Sequence, residues 1–131
     1  MDVRTVFPCD ASSVAAARRL VRGQLASDSG TASRRADRDD IVDAATLLLS
    51  ELVTNAIVHA RTNVEVHIVT DDLMLRAEVS DGNPALPEPR RPNGLNGTGR
   101  GLQLIDDLAS RWGVLTSDAG KTVWFELTFA S

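Results

Sequence analysis

The stretch NVEVHIVTDDLMLRAEVSD, residues 63–81, constrains the fold more than any other part of the chain. Apolar and polar residues alternate on both sides of Asp71 and Asp72. Two alternating runs joined by a short acidic turn predict a β-hairpin with one buried face. The residues predicted to face inward are Val64, Val66 and Ile68 on the first strand and Leu73, Leu75, Ala77 and Val79 on the second.

Hydrophobic periodicity divides the rest of the chain into helices, strands and loops. A strand is predicted at residues 3–7, and a helix from Asp10 or Ser12. The segment 27–38 is predicted to be a polar loop, and Asp39–His59 a long helix. Four prolines and five glycines make residues 81–101 a loop. A short helix at 102–110 and two strands joined by a turn at 118–120 complete the chain. The predicted apolar positions are Val14, Ala17, Val21 and Leu25 on the first helix, Ile41, Ala45, Leu48, Leu52 and Ala56 on the second, and Leu102, Ile105 and Leu108 on the third.

The resulting order, β-α-α-β-β-loop-α-β-β, lacks the strict alternation of a doubly wound parallel sheet. It predicts an α+β, two-layer sandwich in which three helices pack on one face of a mixed, mostly antiparallel sheet. With 131 residues, the chain is expected to form one domain, residues 1–131.

Composition excludes several classes of protein. A net charge of −4 argues against a dedicated nucleic-acid binder. The single cysteine, Cys9, excludes an internal disulfide, and its thiol is expected to be buried or incidental. No signal-peptide core is present and no apolar run is expected to approach membrane-spanning length, so we expect a cytoplasmic protein.

The helical segment ELVTNAIVHA, residues 51–60, carries polar residues at intervals of four. At 3.6 residues per turn, Glu51, Asn55 and His59 form one polar strip. An asparagine oxygen suits Mg²⁺, and a glutamate one turn away can take a proton from an attacking hydroxyl. An exposed polar face with a histidine near the helix C-terminus explains the strip at least as well, so the strip alone assigns no function.

Two further motifs are weak when taken singly. Asp81 and Gly82 follow an apolar strand, where the aspartate either binds a donor such as a purine amine or forms a turn. NGTGRGLQLI, residues 96–105, alternates glycines before a helix, as anion-binding loops do. GKT, residues 120–122, lacks the earlier glycine and the following helix of a P-loop, which excludes that motif.

Together and in this order, the motifs resemble the Bergerat-fold ATP-binding domain (GHKL) of gyrase, heat-shock chaperone, histidine kinase and mismatch-repair ATPases. ELVTNAIVHA resembles the N box of that family, VSDG its first glycine box and GTGRGL its second. The resemblance covers about residues 39–129 and is strongest to bacterial anti-sigma-factor serine-protein kinases.

The resemblance implies ATP and Mg²⁺ as cofactors and a role for each matching residue. Glu51 would polarise the attacking nucleophile and Asn55 would bind Mg²⁺. Asp81, followed by Gly82, would accept a hydrogen bond from the adenine amino group, with Thr122 of the closing strand nearby. His59 would support the site at most. The matching residues of the nucleotide lid loop (about 83–100) and of the helix start are Gly97, Thr98, Gly99, Arg100, Gly101 and Leu102.

The resemblance also implies a function: a protein-serine kinase that phosphorylates an anti-sigma antagonist of the STAS type and sequesters a sigma factor. A homodimer is expected, without direct contact to nucleic acid or membrane. The alternative is a nucleotide-gated protein-binding module without kinase turnover. Glu51 favours the kinase, whereas the altered first glycine box, with Asn83 and Ala85 in place of glycines, favours the module. A histidine kinase is disfavoured because His59 and His67 are the only histidines.

Overall fold

The computed structural model describes residues 2–25, 32–83 and 101–129, where the chain forms five strands and three helices in the predicted order. A π-helical turn, Ala56–Ala60, continues the second helix. The elements are β1 (Asp2–Phe7), α1 (Ser12–Leu25), α2 (Ala32–Asn55), β2 (Val64–Thr70), β3 (Met74–Asp81), α3 (Gly101–Leu108), β4 (Arg111–Ser117) and β5 (Gly120–Thr128).

The strands form one sheet in the order β1-β2-β3-β5-β4. Every pairing among the described strands is antiparallel, so the mixed component that the sequence suggested is not found there. The pairing of β3 with β5 sets Val79 opposite Val123 and Asp81 opposite Lys121. Because side chains alternate between the faces of a strand, all four of these residues share one face.

The three helices pack on that face and form a two-layer α+β fold, as predicted. Ala17 and Val21 of α1, Leu48 of α2 and Ile105 of α3 are fully buried against the sheet. The predicted inward rows of β2 and β3 are also buried, with one exception. Leu73 lies in the hairpin turn and its surface is 74% exposed. Asp71 Oδ1 accepts hydrogen bonds from the Leu73 and Met74 amides, so the turn includes Leu73 and β3 begins only at Met74.

The second helix begins at Ala32, seven residues before the predicted start, so part of the segment predicted as a polar loop is helical. The stretch Asp39–Ala60 is long and apolar enough to cross a membrane by composition, contrary to our expectation for this chain. Half of its most apolar window is buried inside the fold, and α2 contacts β3 and β5. Its apolar character therefore serves the core of the domain. Cys9 is exposed, so of the two alternatives expected for its thiol, buried or incidental, the buried one was wrong.

Candidate functional site

The first two residues of the predicted polar strip, Glu51 and Asn55, lie one turn apart in α2, as the periodicity predicted. Leu48, Leu52 and Ala56 are buried and hold the helix to the core. Glu51 and Asn55 are only partly buried, so they lie at the border between the core and the solvent. The packing of the apolar side thus fixes the direction in which this pair is presented.

Asn55 carries a buried polar atom that no group in the described part of the chain satisfies. Its side-chain oxygen, Oδ1, is inaccessible to solvent and has no hydrogen-bond partner there. An unpaired buried oxygen costs about 1–3 kcal/mol, so in a native protein it calls for a partner such as a bound water or ion, or for a functional role. A neutral oxygen of this kind fits a hard cation such as Mg²⁺.

The remaining ligands of such an ion would come from outside the protein. No group of three or more histidine, cysteine, aspartate or glutamate side chains able to hold a metal occurs in the described ranges. Mg²⁺ commonly binds one or two protein oxygens and takes its other ligands from phosphates and water. The donor set at Asn55 therefore fits a metal that arrives with a phosphorylated ligand.

Directly after Asn55 the helix widens into the π-helical turn. The Arg61 amide donates to the Ala56 carbonyl at 2.9 Å, and Arg61 ends the helix in the left-handed conformation with φ of 59°. Such turns occur often at functional sites. His59 lies within this turn and is exposed, so the α-helical interval that joined it to Glu51 and Asn55 does not continue that far.

The corner after this turn is tied to the end of β3. The Gly82 amide donates to Thr62 Oγ1 at 2.9 Å, while the Thr62 hydroxyl donates to the Asn63 carbonyl at 3.0 Å. A Cβ at Gly82 would lie 3.3 Å from the Thr62 methyl group, so a side chain there would press on this link. The end of the N-box segment and the first glycine box are thus joined, and sequence analysis missed Thr62.

Asp81 is buried and paired. Its side chain is 6% exposed, and Oδ2 lies 3.0 Å from the ammonium nitrogen of Lys121, whose side chain is 12% exposed. Oδ1 lies 3.2 Å from the same nitrogen and accepts the Asn83 amide at 2.9 Å. The Lys121 ammonium also donates to the Asn83 carbonyl at 3.2 Å. The expected base-recognising carboxylate is therefore held inside the fold as half of an ion pair.

Thr122 does not lie beside Asp81. It pairs with Ser80 on the opposite face of the sheet, and the two hydroxyl groups are 2.7 Å apart. The β5 residue that contacts Asp81 is its neighbour, Lys121. The alternation of GKTVWFEL contained a signal for this, because Lys121 falls on the same face as the buried Val123 and Phe125. A lysine in an apolar row requires a buried acceptor.

The third helix runs from Gly101 to Leu108, so it begins one residue before and ends two residues before the predicted bounds. It packs against α2 and β4, and the indole nitrogen of Trp112 donates to Asp106 Oδ1 at 3.1 Å. Leu102 lies in its first turn. These contacts hold α3 beside α2, the helix that carries Asn55. Most of the predicted lid, with Ala85, Gly97, Thr98, Gly99 and Arg100, lies outside the described residues.

Comparisons with known proteins agree with this fold. Residues 7–127 match a family model described as a histidine kinase-like ATPase domain. No curated protein matches significantly. Among solved structures, the RsbU and RsbW domains of Rv1364c from Mycobacterium tuberculosis match with a TM-score of 0.67 and 20% identity. The match covers 97% of this chain but only 32% of that one, and at this identity it shows a shared fold.

Proposed function

The chain belongs to the histidine kinase-like ATPase domain family, and from this premise we propose that it binds ATP with Mg²⁺ as an anti-sigma-type regulator. The observation that carries the proposal is the unsatisfied buried oxygen of Asn55, one helical turn from Glu51. An acid and an amide in this arrangement divide two tasks between them. The amide binds the metal that accompanies the phosphates, and the carboxylate is left for proton transfer.

The activity proposed for the site is transfer of the terminal phosphoryl group of ATP to a serine of an antagonist protein. The serine oxygen forms a bond to the γ-phosphorus, the bond from that phosphorus to the bridging oxygen breaks, and ADP leaves. Glu51 takes the serine proton. Bound Mg²⁺ would neutralise charge on the phosphates, and the free backbone amides at the start of α3, near Gly101, would donate hydrogen bonds to them.

Asp81 would recognise the nucleotide base by accepting a hydrogen bond from its exocyclic amine. Its burial supports this role, because a shielded carboxylate binds a donor more strongly than one in water. The link from Thr62 to Gly82 would keep this carboxylate in register with the helix that carries Asn55.

The partners proposed are a sigma factor, which the domain would sequester, and a STAS-type antagonist that would be the phosphorylated substrate. A homodimer and a cytoplasmic location belong to the same proposal. The motifs of the sequence support it, as does the likeness of the fold to a structure that contains an RsbW domain.

A second candidate function is a protein-binding module that ATP regulates without phosphoryl transfer. One observation favours it: Asp81 is already engaged by Lys121 and by the Asn83 amide, in a glycine box that departs from the family pattern. A base site of this kind is consistent with slow exchange of nucleotide and little turnover.

Titration calorimetry with ATP and Mg²⁺ tests nucleotide binding. We expect Asn55→Ala to lower the affinity at least tenfold without loss of folding stability, because the substitution removes an unpaired buried oxygen. Asn63→Ala is the matched control. The Asn63 side chain accepts the Cys9 amide at 3.1 Å and is exposed, so this variant should bind ATP like the wild type. Equal ATP affinities for the wild type and Asn55→Ala would contradict the proposed site.

A further inference from the structure

The ammonium group of Lys121 is a built part of the base site. It contacts three acceptors, which are the two carboxylate oxygens of Asp81 and the carbonyl oxygen of Asn83, at 3.0–3.2 Å. The side chain is only 12% exposed, so these contacts hold the ammonium in place. The two oxygens of one carboxylate can share one of the three ammonium hydrogens, which leaves a hydrogen for a further acceptor.

The position of Lys121 follows from the close approach of two strand ends. Lys121 lies opposite Asp81 in the pairing of β3 with β5. At the preceding position a Cβ would lie 2.0 Å from the Asp81 carbonyl oxygen, so only glycine fits at residue 120. The absence of a side chain there brings the lysine and the aspartate together on the helix face of the sheet.

Asp81 keeps capacity for one more donor. A carboxylate offers about four acceptor positions, and those on Oδ1 receive the Asn83 amide and one contact from Lys121. Oδ2 receives only Lys121 among the described residues. A ligand can thus donate a hydrogen bond to Oδ2 while the ion pair persists. It then finds an acceptor, the Asp81 carboxylate, directly beside a strong donor, the Lys121 ammonium.

This pairing changes which bases the site accepts. Adenine presents a donor amine next to the acceptor N1, whereas guanine and hypoxanthine present the acceptor O6 next to a donor N1–H. A lone carboxylate binds the adenine amine and repels a carbonyl oxygen in the same place. With an ammonium 3.0 Å from the carboxylate, a 6-oxopurine finds a donor for O6 at Lys121 and an acceptor for N1–H at Asp81.

We propose that Lys121 is a specificity-determining residue that lets this site bind 6-oxopurine nucleotides besides adenine nucleotides. The inference rests on the proposed function, in which Asp81 recognises the base. Sites that leave a polar group unmatched reject the wrong ligand by factors of about 10⁴–10⁵. A site that offers both a donor and an acceptor should discriminate far less between the two kinds of purine. We expect the affinities of the wild type for ATP and ITP to lie within about tenfold of each other.

The test is calorimetric titration of the full chain with the Mg²⁺ complexes of ATP, ITP and GTP. ITP is the decisive probe, because its base differs from adenine at position 6 and in the protonation of N1 alone. In Lys121→Met we expect the preference for ATP over ITP to rise at least tenfold above that of the wild type. Lys121→Arg, which keeps a cation at this position, should retain the ratio of the wild type.

The ratio of two affinities separates specificity from a structural role, because a general loosening of the site weakens both nucleotides together. An unchanged ratio in Lys121→Met overturns the inference. The inference is also overturned if the wild type binds ATP more than about a hundredfold more tightly than ITP. This comparison needs only the wild type, so it tests the inference even if Lys121→Met does not fold. A wild type that binds neither nucleotide overturns the proposed function as well.

Discussion

The backbones of Gly120 and Asp81 approach so closely that a Cβ at residue 120 would lie 2.0 Å from the Asp81 carbonyl oxygen. The same Cβ would lie 3.1 Å from the Cα of Gly82. Both partners are backbone atoms, which cannot rotate away as a side chain can. The hairpin of β4 and β5, which carries Lys121, thus packs directly against the end of β3, which carries Asp81.

Gly120→Ala is therefore expected to separate the ends of β3 and β5. We expect it to lower the free energy of unfolding by about 1–3 kcal/mol and to weaken ATP binding, because Asp81 and Lys121 would move apart. Urea unfolding and calorimetry on the same variant measure the two effects. An ATP affinity equal to that of the wild type would show that the close contact between the Gly120 and Asp81 backbones does not shape the base site.

Glu51→Gln distinguishes the kinase from the nucleotide-regulated module. The substitution keeps the size and polarity of the side chain but removes the proton acceptor, so ATP binding should persist while phosphoryl transfer to the antagonist falls by about 10²–10⁴-fold. The measurement is transfer of labelled phosphate to a co-purified antagonist, with ATP affinity as the control for an intact site. If the wild type transfers no phosphate to any antagonist, the result favours the nucleotide-regulated module. If Glu51→Gln transfers phosphate as fast as the wild type, Glu51 is not the base.

The sequence predicted the parts of this site that depend on local periodicity, and it missed those that depend on pairing. Glu51 and Asn55 are one helical turn apart, so their common side follows from the sequence interval. The contact of Asp81 with Lys121 joins residues 40 positions apart and exists only in the register of β3 with β5. The sequence predicted Thr122 near Asp81, whereas the residue of β5 that contacts Asp81 is Lys121, because a motif match does not fix the face of a strand.

The boundaries of α2 show a second physical limit. Residues 32–38 (ASRRADR) are rich in polar residues and carry no apolar repeat, so periodicity predicts a loop where the structure has helix. The π-helical turn at Ala56–Ala60 also cannot be predicted from the sequence pattern, because the apolar spacing of its residues is compatible with an α-helix. Neither feature leaves a distinctive repeat of apolar residues in the sequence, so hydrophobic periodicity predicts neither of them.

Two glycines far from the site give a matched pair of stability predictions. A Cβ at Gly113 would lie 2.8–2.9 Å from the indole of Trp124, which also stacks with the Arg76 guanidinium 4.2 Å from its ring centre. Gly113→Ala should therefore destabilise the domain by about 1–3 kcal/mol. Gly23 lies in α1 with open space around it, so Gly23→Ala should stabilise by up to about 1 kcal/mol. Thermal or urea unfolding measures both: a Gly113→Ala variant as stable as the wild type would contradict the packing described at Gly113, and a destabilised Gly23→Ala variant would contradict the open space at Gly23.

Glu78, on the outer face of the sheet, should make stability depend on pH. Burial raises the pKa of Glu78, but hydrogen bonds from His67 and Arg76 and the charges of these two residues outweigh burial, so the pKa lies below the ordinary 4.5. A carboxyl group with a lowered pKa in the folded state contributes stability that is complete above its unfolded pKa and is lost as the pH falls through the folded value. Glu78→Gln removes this contribution and should lower the free energy of unfolding at pH 7.

The loss caused by Glu78→Gln should shrink on acidification. At low pH the wild-type carboxyl group is protonated too, and it then resembles the neutral amide in charge. Urea unfolding of both proteins at pH 7, 5 and 4, at constant ionic strength, gives the difference at each pH. A difference that stays constant or grows between pH 5 and 4 would mean that the charge of Glu78, bonded to Arg76 Nε at 3.2 Å, does not stabilise the fold.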